Sequence, residues 1–267
     1  MAETSSSRGR WLFGLFMAHI GYNGRVVVEK FLRAHTVVKH LPDGQSMLLR
    51  PWLGETGAMS EVWEQEVYAP VGKPRDGEII MDVGGHVGSF SLWAAPKVGG
   101  SGRVITVEPD PANAQMLRRN VSRNKHKNVT ILQVGLSDHS GTATFRRDPQ
   151  YSGANHLQND LDSTRVEGSS ITVELTTMDE IVKAQGIQRL DMVKMDCEGA
   201  ELGALRGGTE TLRRFHPRIA MEYHPPKCGS PPTEVKSFLE SLGYGVRGVG
   251  TETQGIFYAN LKKDAKS

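Results

Sequence analysis

From residue 78 to residue 261, short runs of apolar and β-branched residues alternate with stretches of helical spacing, and that alternation limits the fold to an α/β class. The strand-like runs are EIIMDV (78–83), RVITVE (103–108), VTILQV (129–134), LDMVKMD (190–196), RIAMEYH (218–224), YGVRGV (244–249) and GIFYANL (255–261). Helical spacing fills most intervals, at 89–98, 111–124, 177–185, 203–215 and 232–243. Strands separated by helices pair in parallel, because a crossover must carry the chain back to the starting edge. Only the short polar loop GVGTETQG separates the last two runs, so the final strand returns antiparallel. The expected architecture is an α/β sheet of seven strands, mostly parallel, with the last strand antiparallel and helices on both faces. With 38% apolar residues the chain has enough material for such a core.

The first 76 residues have a different pattern. Residues 35–51 alternate around Pro42-Asp43-Gly44 and predict a β-hairpin. Residues 57–68 predict a helix with Met59, Val62, Trp63 and Val67 on one face. The segment 1–76 is therefore expected as a lead-in packed on a core of residues 77–267. Inside that core, residues 139–177 form an insert too long for an ordinary connection, and such inserts often carry substrate contacts.

Charge sets few limits on partners. The 32 basic and 30 acidic residues nearly cancel, leaving a net charge of +2, and no basic stripe is interleaved with aromatics. Neither a nucleic acid nor an anionic membrane is implied. RGRWLFGLFMAHIGY, near the N-terminus, superficially resembles a signal peptide, but no small-residue cleavage site follows and charged residues resume. It is expected to be a helix packed on the domain or on a twin subunit in a homodimer, with weak interfacial membrane contact through residues 11–20 as the alternative. No apolar run approaches the ~20 residues that span a bilayer. The two cysteines, Cys197 and Cys228, form no disulfide framework, which suits a reducing, cytoplasmic setting.

The chemistry is concentrated at the ends of the strand-like runs. MDVGGHVGSF (81–90) places Asp82 before Gly84, Gly85 and Gly88, a glycine-rich turn between the first strand and its helix. Such a turn lets a nucleotide-like ligand approach the backbone closely. Its G-G-x-x-G spacing departs from the G-x-G-x-x-G of dinucleotide binders. Glu108 ends the second strand about 20 residues later, where an acid accepts hydrogen bonds from ribose hydroxyls, with Pro109 beside it. Two acids at neighbouring strand ends, with glycines between them, describe a site for a cationic adenosine ligand such as S-adenosylmethionine. Gly135 and Leu136, after the third strand, are placed beside the adenine. VKMDCEGAE (193–201) ends the fourth strand with Asp196, Glu198 and Glu201, and MEYHPP (221–226) ends the fifth with Glu222 and His224. His224 is the first candidate for a general base or substrate contact, followed by His156 in the insert and then Glu198 and Asp196. No metal site is expected, because neither the acid cluster nor His224 with Cys228 has enough partners at ligand spacing.

These motifs, together with NVTILQVGLSDHSGTATF and TTMDEIV, occur in the order and spacing of the FkbM-like methyltransferases, which the chain resembles from about residue 40 to about residue 225. The K-x-D-x-E-G-x-E element from Lys194 to Glu201 is the most specific part of the likeness. The D-x-G-x-x-x-G turn is shared by most class I methyltransferases. The resemblance implies the seven-stranded, Rossmann-like class I methyltransferase fold, S-adenosylmethionine as cofactor, and methylation of hydroxyl groups on small molecules such as polyketides and sugars. Gly85-His86 stands where such proteins commonly carry Ala-Asn, so His86 is expected to meet the donor differently. SGANHLQ resembles the family's insert only loosely, so neither the acceptor nor the base carries over. The competing readings are a macromolecular or nitrogen acceptor, a nucleotide-dependent oxidoreductase, and a donor-binding module without turnover. The missing G-x-G-x-x-G counts against the oxidoreductase, and the acids at 82, 108, 196 and 198 count against the inert module.

Overall fold

The computed structural model describes residues 36–148, 150–158, 169–224, 230–251 and 254–262. The expectations for the N-terminal helix, for residues 11–20 and for Cys228 fall outside these residues.

The chain enters through the hairpin β1 (Val37–His40) and β2 (Ser46–Leu49), paired antiparallel around Pro42-Asp43-Gly44. Helix α1 (Glu55–Trp63) follows. It stops at Trp63, five residues short of the predicted end, and Glu66 adopts a left-handed φ of 48°. Val67 still packs against the apolar layer, but from an irregular turn. The alternating region then gives β3 (Ile79–Val83), α2 (Ser89–Val98), β4 (Arg103–Val107), α3 (Pro111–Arg123) and β5 (Val129–Leu132). The side chain of Asp110 caps α3, accepting the amides of Ala112 and Asn113, and Pro111 fits the first turn because its missing donor is not needed there.

The chain next leaves the main sheet. β6 (Gly135–Leu136), β7 (Gly141–Arg146), β8 (His156–Leu157) and β9 (Ser170–Thr176) form a separate four-stranded sheet in the order β6-β9-β7-β8. The insert is thus a small sheet closed on Phe145, Val173 and Leu175. Helix α4 (Met178–Ala184) opens on a capping box between Thr177 and Glu180. β10 (Met192–Met195), α5 (Glu201–Arg206), α6 (Thr209–Phe215), β11 (Arg218–Tyr223), α7 (Pro232–Ser241), β12 (Tyr244–Gly250) and β13 (Gly255–Leu261) complete the order. The single helix predicted over 203–215 is two, broken at Gly207-Gly208. A Cβ at Gly207 would stand 2.1 Å from the carbonyl oxygen of Ser137, so close packing against the β6 connection needs a glycine there.

The main sheet has the order β12-β13-β11-β10-β3-β4-β5, and β13 runs antiparallel to both its neighbours. The seven-stranded, mostly parallel expectation holds, with the antiparallel strand one place in from the edge. Side chains alternate across the sheet. Met81, Val83, Val193 and Met195 face the layer that contains α4, α5, α6 and α7. Ile80 and Met192 face the layer of α1 and α2, which continues into the hairpin and α3 through Leu92, Met47 and Leu117. The chain runs outward from β3 to β5, then crosses back to β10. Strand order reverses between β3 and β10, and open sheets of this kind bind ligands at the carboxyl ends of strands at such a point.

Candidate functional site

A cavity of about 370 Å³ opens at those strand ends. Its floor is the tips of β3, β4, β10 and β11, and α1 and the insert wall it from above. Gly84, His86, Glu108, Pro109, Gly135, Leu136, Asp196, Glu198 and His224 all line it. Asp82, Gly85, Gly88 and His156 do not.

Each absence follows from the packing. Asp82 lies on the α2 side of β3, because alternation along the strand sends it away from the face of Met81 and Val83. It is fully buried, accepts the Ser91 hydroxyl at 2.6 Å, and sits 3.3 Å from the ammonium of Lys194. Lys194 is its direct register partner on β10. That lysine also donates to the carbonyl of Gly84 at 2.7 Å, so the pair supports the glycine turn from beneath. The three glycines serve close packing within the protein itself. A Cβ would stand 1.7 Å from the Asp196 carbonyl at Gly84, 2.1 Å from Thr106 at Gly85 and 2.6 Å from Leu117 at Gly88. Gly84 and Gly88 also take left-handed φ values of 75° and 100°. His156 is buried in the insert, its Nδ1 3.0 Å from the carbonyl oxygen of Ala154.

One half of the cavity is mostly apolar and contains one carboxylate. Val107, Pro109, Gly135, Leu136, Phe145 and Leu157 wall it, and Glu108 stands at the tip of β4. Burial pushes the Glu108 carboxyl up to about 7, although its oxygens accept the amides of His86 and Asp110 at 2.8 and 2.9 Å. His86 has a left-handed φ of 50° and holds its Nε2 2.7 Å from the Ser152 hydroxyl. Burial and the nearby Arg50 push its imidazole down to about 4, so it is neutral. Ser152 in turn donates to Glu55, which pairs with Arg50, and Arg50 donates to Asn113 at 2.7 Å. Lead-in, glycine turn, α3 and insert are thereby joined in one buried polar network.

The other half is acidic. Asp196 and Glu198 follow β10, Glu222 and His224 end β11, and Glu61 reaches in from α1. Glu198 and Gly199 take consecutive left-handed φ values of 50° and 106°. Glu201 holds that bend by accepting the amides of Cys197 and Gly199. One ligand atom from each of Asp196, Glu198 and His224 lies within 4.8 Å of the others. Burial and the charge of Asp196 push the Glu222 carboxyl up to about 8, with Tyr68 donating its hydroxyl to Glu222. His224 is pulled down by burial, but Glu201, Glu198 and Asp196 outweigh that and hold its imidazole at about 9. It is therefore a cation at neutral pH. Among the described residues no lysine or arginine lines the cavity.

Sequence reading singled out most strand-end groups but missed Glu61, Asn113, Tyr151 and Ser152, all of which line the cavity. Asn113 had a local signal in the capping turn after Asp110. The others arrive through tertiary packing of the lead-in and insert, which no local pattern records.

The methyltransferase FkbM domain matches residues 82–246, more than half of the chain. The chain is 28% identical over 193 residues to methyltransferase sdnD of Sordaria araneosa, covering 62% of this chain and 73% of that protein. It is 28% identical over 152 residues to the 2-O-methyltransferase NoeI of Sinorhizobium fredii, covering 51% of this chain and 59% of that protein. Among solved structures, a methyltransferase FkbM from Methylobacillus flagellatus superposes with a TM-score of 0.51 at 19% identity, over 75% of this chain and 47% of that one. The chain thus spans about half the length of that solved relative, and the likeness concerns the fold. No described helix is long and apolar enough to cross a membrane. With the match running from the glycine turn through both carboxylate-bearing strand ends, the chain belongs to the FkbM-domain family of methyltransferases, whose methyl donor is S-adenosylmethionine.

Proposed function

We propose that this protein transfers the methyl group of S-adenosylmethionine to a hydroxyl oxygen of a small molecule such as a sugar or polyketide. The observation that carries the reading is the division of one cavity into an apolar half with a single carboxylate and an acidic half at the neighbouring strand ends. The residues of the first half fit the donor. The Glu108 carboxylate would accept the ribose hydroxyls, and Pro109, Gly135, Leu136 and Phe145 offer an apolar slot for the adenine. The turn at Gly84 and His86 would frame the amino-acid end, held in shape by Asp82 and Lys194 from below. When bound, the donor supplies an electrophilic methyl group.

The protein's own part is positioning and proton transfer. An in-line displacement needs the acceptor oxygen fixed opposite the leaving sulfur, and holding reactants in that geometry is worth several orders of magnitude in rate. Asp196, Glu198 and His224, which line the acidic half together, would surround that oxygen. An alcohol is a weak nucleophile, so a base within reach is required. His224 keeps its proton up to about 9, whereas Glu222 releases its proton at about 8, so the carboxyl is the first of the two to become a base as pH rises. We assign this role to Glu222, which lines the cavity with Oε1 engaged by Tyr68 and Oε2 3.8 Å from His224 Nε2. A cavity without lysine or arginine among its described lining residues gives a polyphosphate chain no counter-charge, which supports a small acceptor over a nucleic acid. The name of NoeI, a 2-O-methyltransferase, supports oxygen as the acceptor atom. The two-cysteine composition supports a cytoplasmic setting.

The test is incubation with methyl-labelled donor and a metabolite extract, followed by mass spectrometry and NMR of the labelled product. A label on a small-molecule hydroxyl is expected. A label found only on nitrogen, protein or RNA overturns the reading.

A further inference from the structure

The acidic half of the cavity contains more ligand atoms than methyl positioning requires. Asp196 and Glu198 come from the bend after β10, and His224 comes from the end of the adjacent parallel strand β11. Their three ligand atoms lie within 4.8 Å of one another. Ligands at ~2.0–2.2 Å on opposite sides of a divalent cation stand about 4 Å apart. Small rotamer adjustments of two carboxylates therefore suffice to close the set.

Two further observations point to the same place. Asp196 Oδ1 is buried and takes no hydrogen bond, an arrangement that is costly for a carboxylate oxygen unless something electropositive completes it. The charge of the cavity is also unbalanced. Five carboxyl groups, Glu61, Glu108, Asp196, Glu198 and Glu222, line it against one basic side chain, His224, with no lysine or arginine among the described lining residues. The nearest buried ammonium, Lys194, is committed to Asp82 and to the Gly84 carbonyl. The donor brings only a single net positive charge, since its carboxylate cancels one of its two cationic centres. A site with this surplus of carboxyl groups over basic ones favours a compact cation, whose charge stabilises their ionised forms.

We propose that Asp196, Glu198 and His224 bind a divalent first-row metal ion at the floor of the cavity, with a coordination position left open for the acceptor oxygen. Coordination needs the neutral imidazole, so the entering ion displaces the His224 proton to solvent, and two carboxylates with one imidazole suit manganese, iron or zinc better than calcium, which prefers an all-oxygen cage. Three protein ligands leave positions vacant, as catalytic metal sites do. In that place the ion would lower the pKa of a bound hydroxyl and orient it. The catalytic use rests on the O-methylation reading above. The binding itself does not.

The probe is Mn2+ alone, added to the full chain after chelator treatment and with neither donor nor acceptor present. Loss of the free-ion electron paramagnetic resonance signal then measures binding. One saturable site per chain is expected. Glu198→Gln and His224→Ala should each weaken it by about tenfold or more. Asp43→Asn, an exposed acid on the hairpin, should leave it unchanged. Circular dichroism melting of each variant establishes that the fold is retained. Absence of a saturable site, or a site of undiminished affinity in Glu198→Gln, overturns the proposal. Because no substrate enters the measurement, a failed O-methylation assay leaves a bound Mn2+ result standing, and a missing Mn2+ site leaves methyl transfer standing.

Discussion

The two halves of the cavity are built from the same kind of part, a carboxylate at the tip of a parallel strand, yet they differ in what surrounds that carboxylate. Glu108 stands among apolar walls, with two backbone amides on its oxygens. Asp196, Glu198 and Glu222 stand among one another, with His224 held as a cation between them. A single acid in an apolar slot selects by shape and by hydrogen bonds to its own oxygens. A crowd of acids selects by charge and holds protons far from their usual range. On the proposed reading the apolar half binds one invariant donor, while the acidic half is left to an acceptor whose chemistry the lead-in and insert set.

The largest effect should come where the halves meet. Gly84→Ala places a Cβ 1.7 Å from the Asp196 carbonyl, in a left-handed conformation, and no flexible side chain is available to yield. A destabilisation on the order of 3 kcal/mol or more is expected, read as a fall of about 10 °C in the melting temperature. A variant that melts like the parent would mean that the turn and the β10 tip are not in contact as described.

Glu222→Gln should separate the halves functionally. Removal of a general base typically slows transfer ~10²- to 10⁴-fold, while affinity for S-adenosylhomocysteine should stay within about twofold of the parent, the ordinary effect of a remote change. Calorimetry and single-turnover rates measure the two quantities. Parallel loss of both would dissolve the division between donor and acceptor halves. Glu108→Gln is the reciprocal change. Losing hydrogen bonds to a charged acceptor costs about 1.5–3 kcal/mol, so S-adenosylhomocysteine should bind roughly 10- to 100-fold more weakly, with little change in turnover at saturating donor.

The smallest effect is one of pH. Burial raises the folded-state pKa of Glu108 from its ordinary value of 4.5 to about 7. The ionised carboxylate is the better acceptor of ribose hydroxyls, so donor affinity should fall as pH drops from 8 through about 7, and Glu108→Gln should flatten that dependence. Stability of the ligand-free protein runs the opposite way for this group. Its contribution is fully present below about 4.5 and is lost as pH rises through about 7, because the folded state holds the proton more tightly. Calorimetric titrations across this range check the sign. A donor affinity that rises toward pH 5.5 would remove Glu108 from the ribose.

Much of this molecule was legible from local pattern. Helices from Ser89 and Pro111, and strands ending at Val83, Val107 and Met195, follow from periodicity and capping. Where the reading fell short, a distant neighbour was responsible. Asp82 belongs beneath the turn because Lys194 occupies the register position beside it. The helix over 203–215 breaks because Ser137 crosses it. His156 remains outside the cavity because the small sheet of the insert turns it inward.

The sequence by itself determined the alternation of strands and helices, and therefore that carboxylates would gather at one edge of a parallel sheet, because the two- and 3.6-residue periods are properties of the local backbone. Only the tertiary structure decided which of those carboxylates face the cavity, which pair with a buried lysine and which crowd a histidine. Those outcomes depend on register between strands far apart in the chain, and on burial that changes the affinity of each group for its proton.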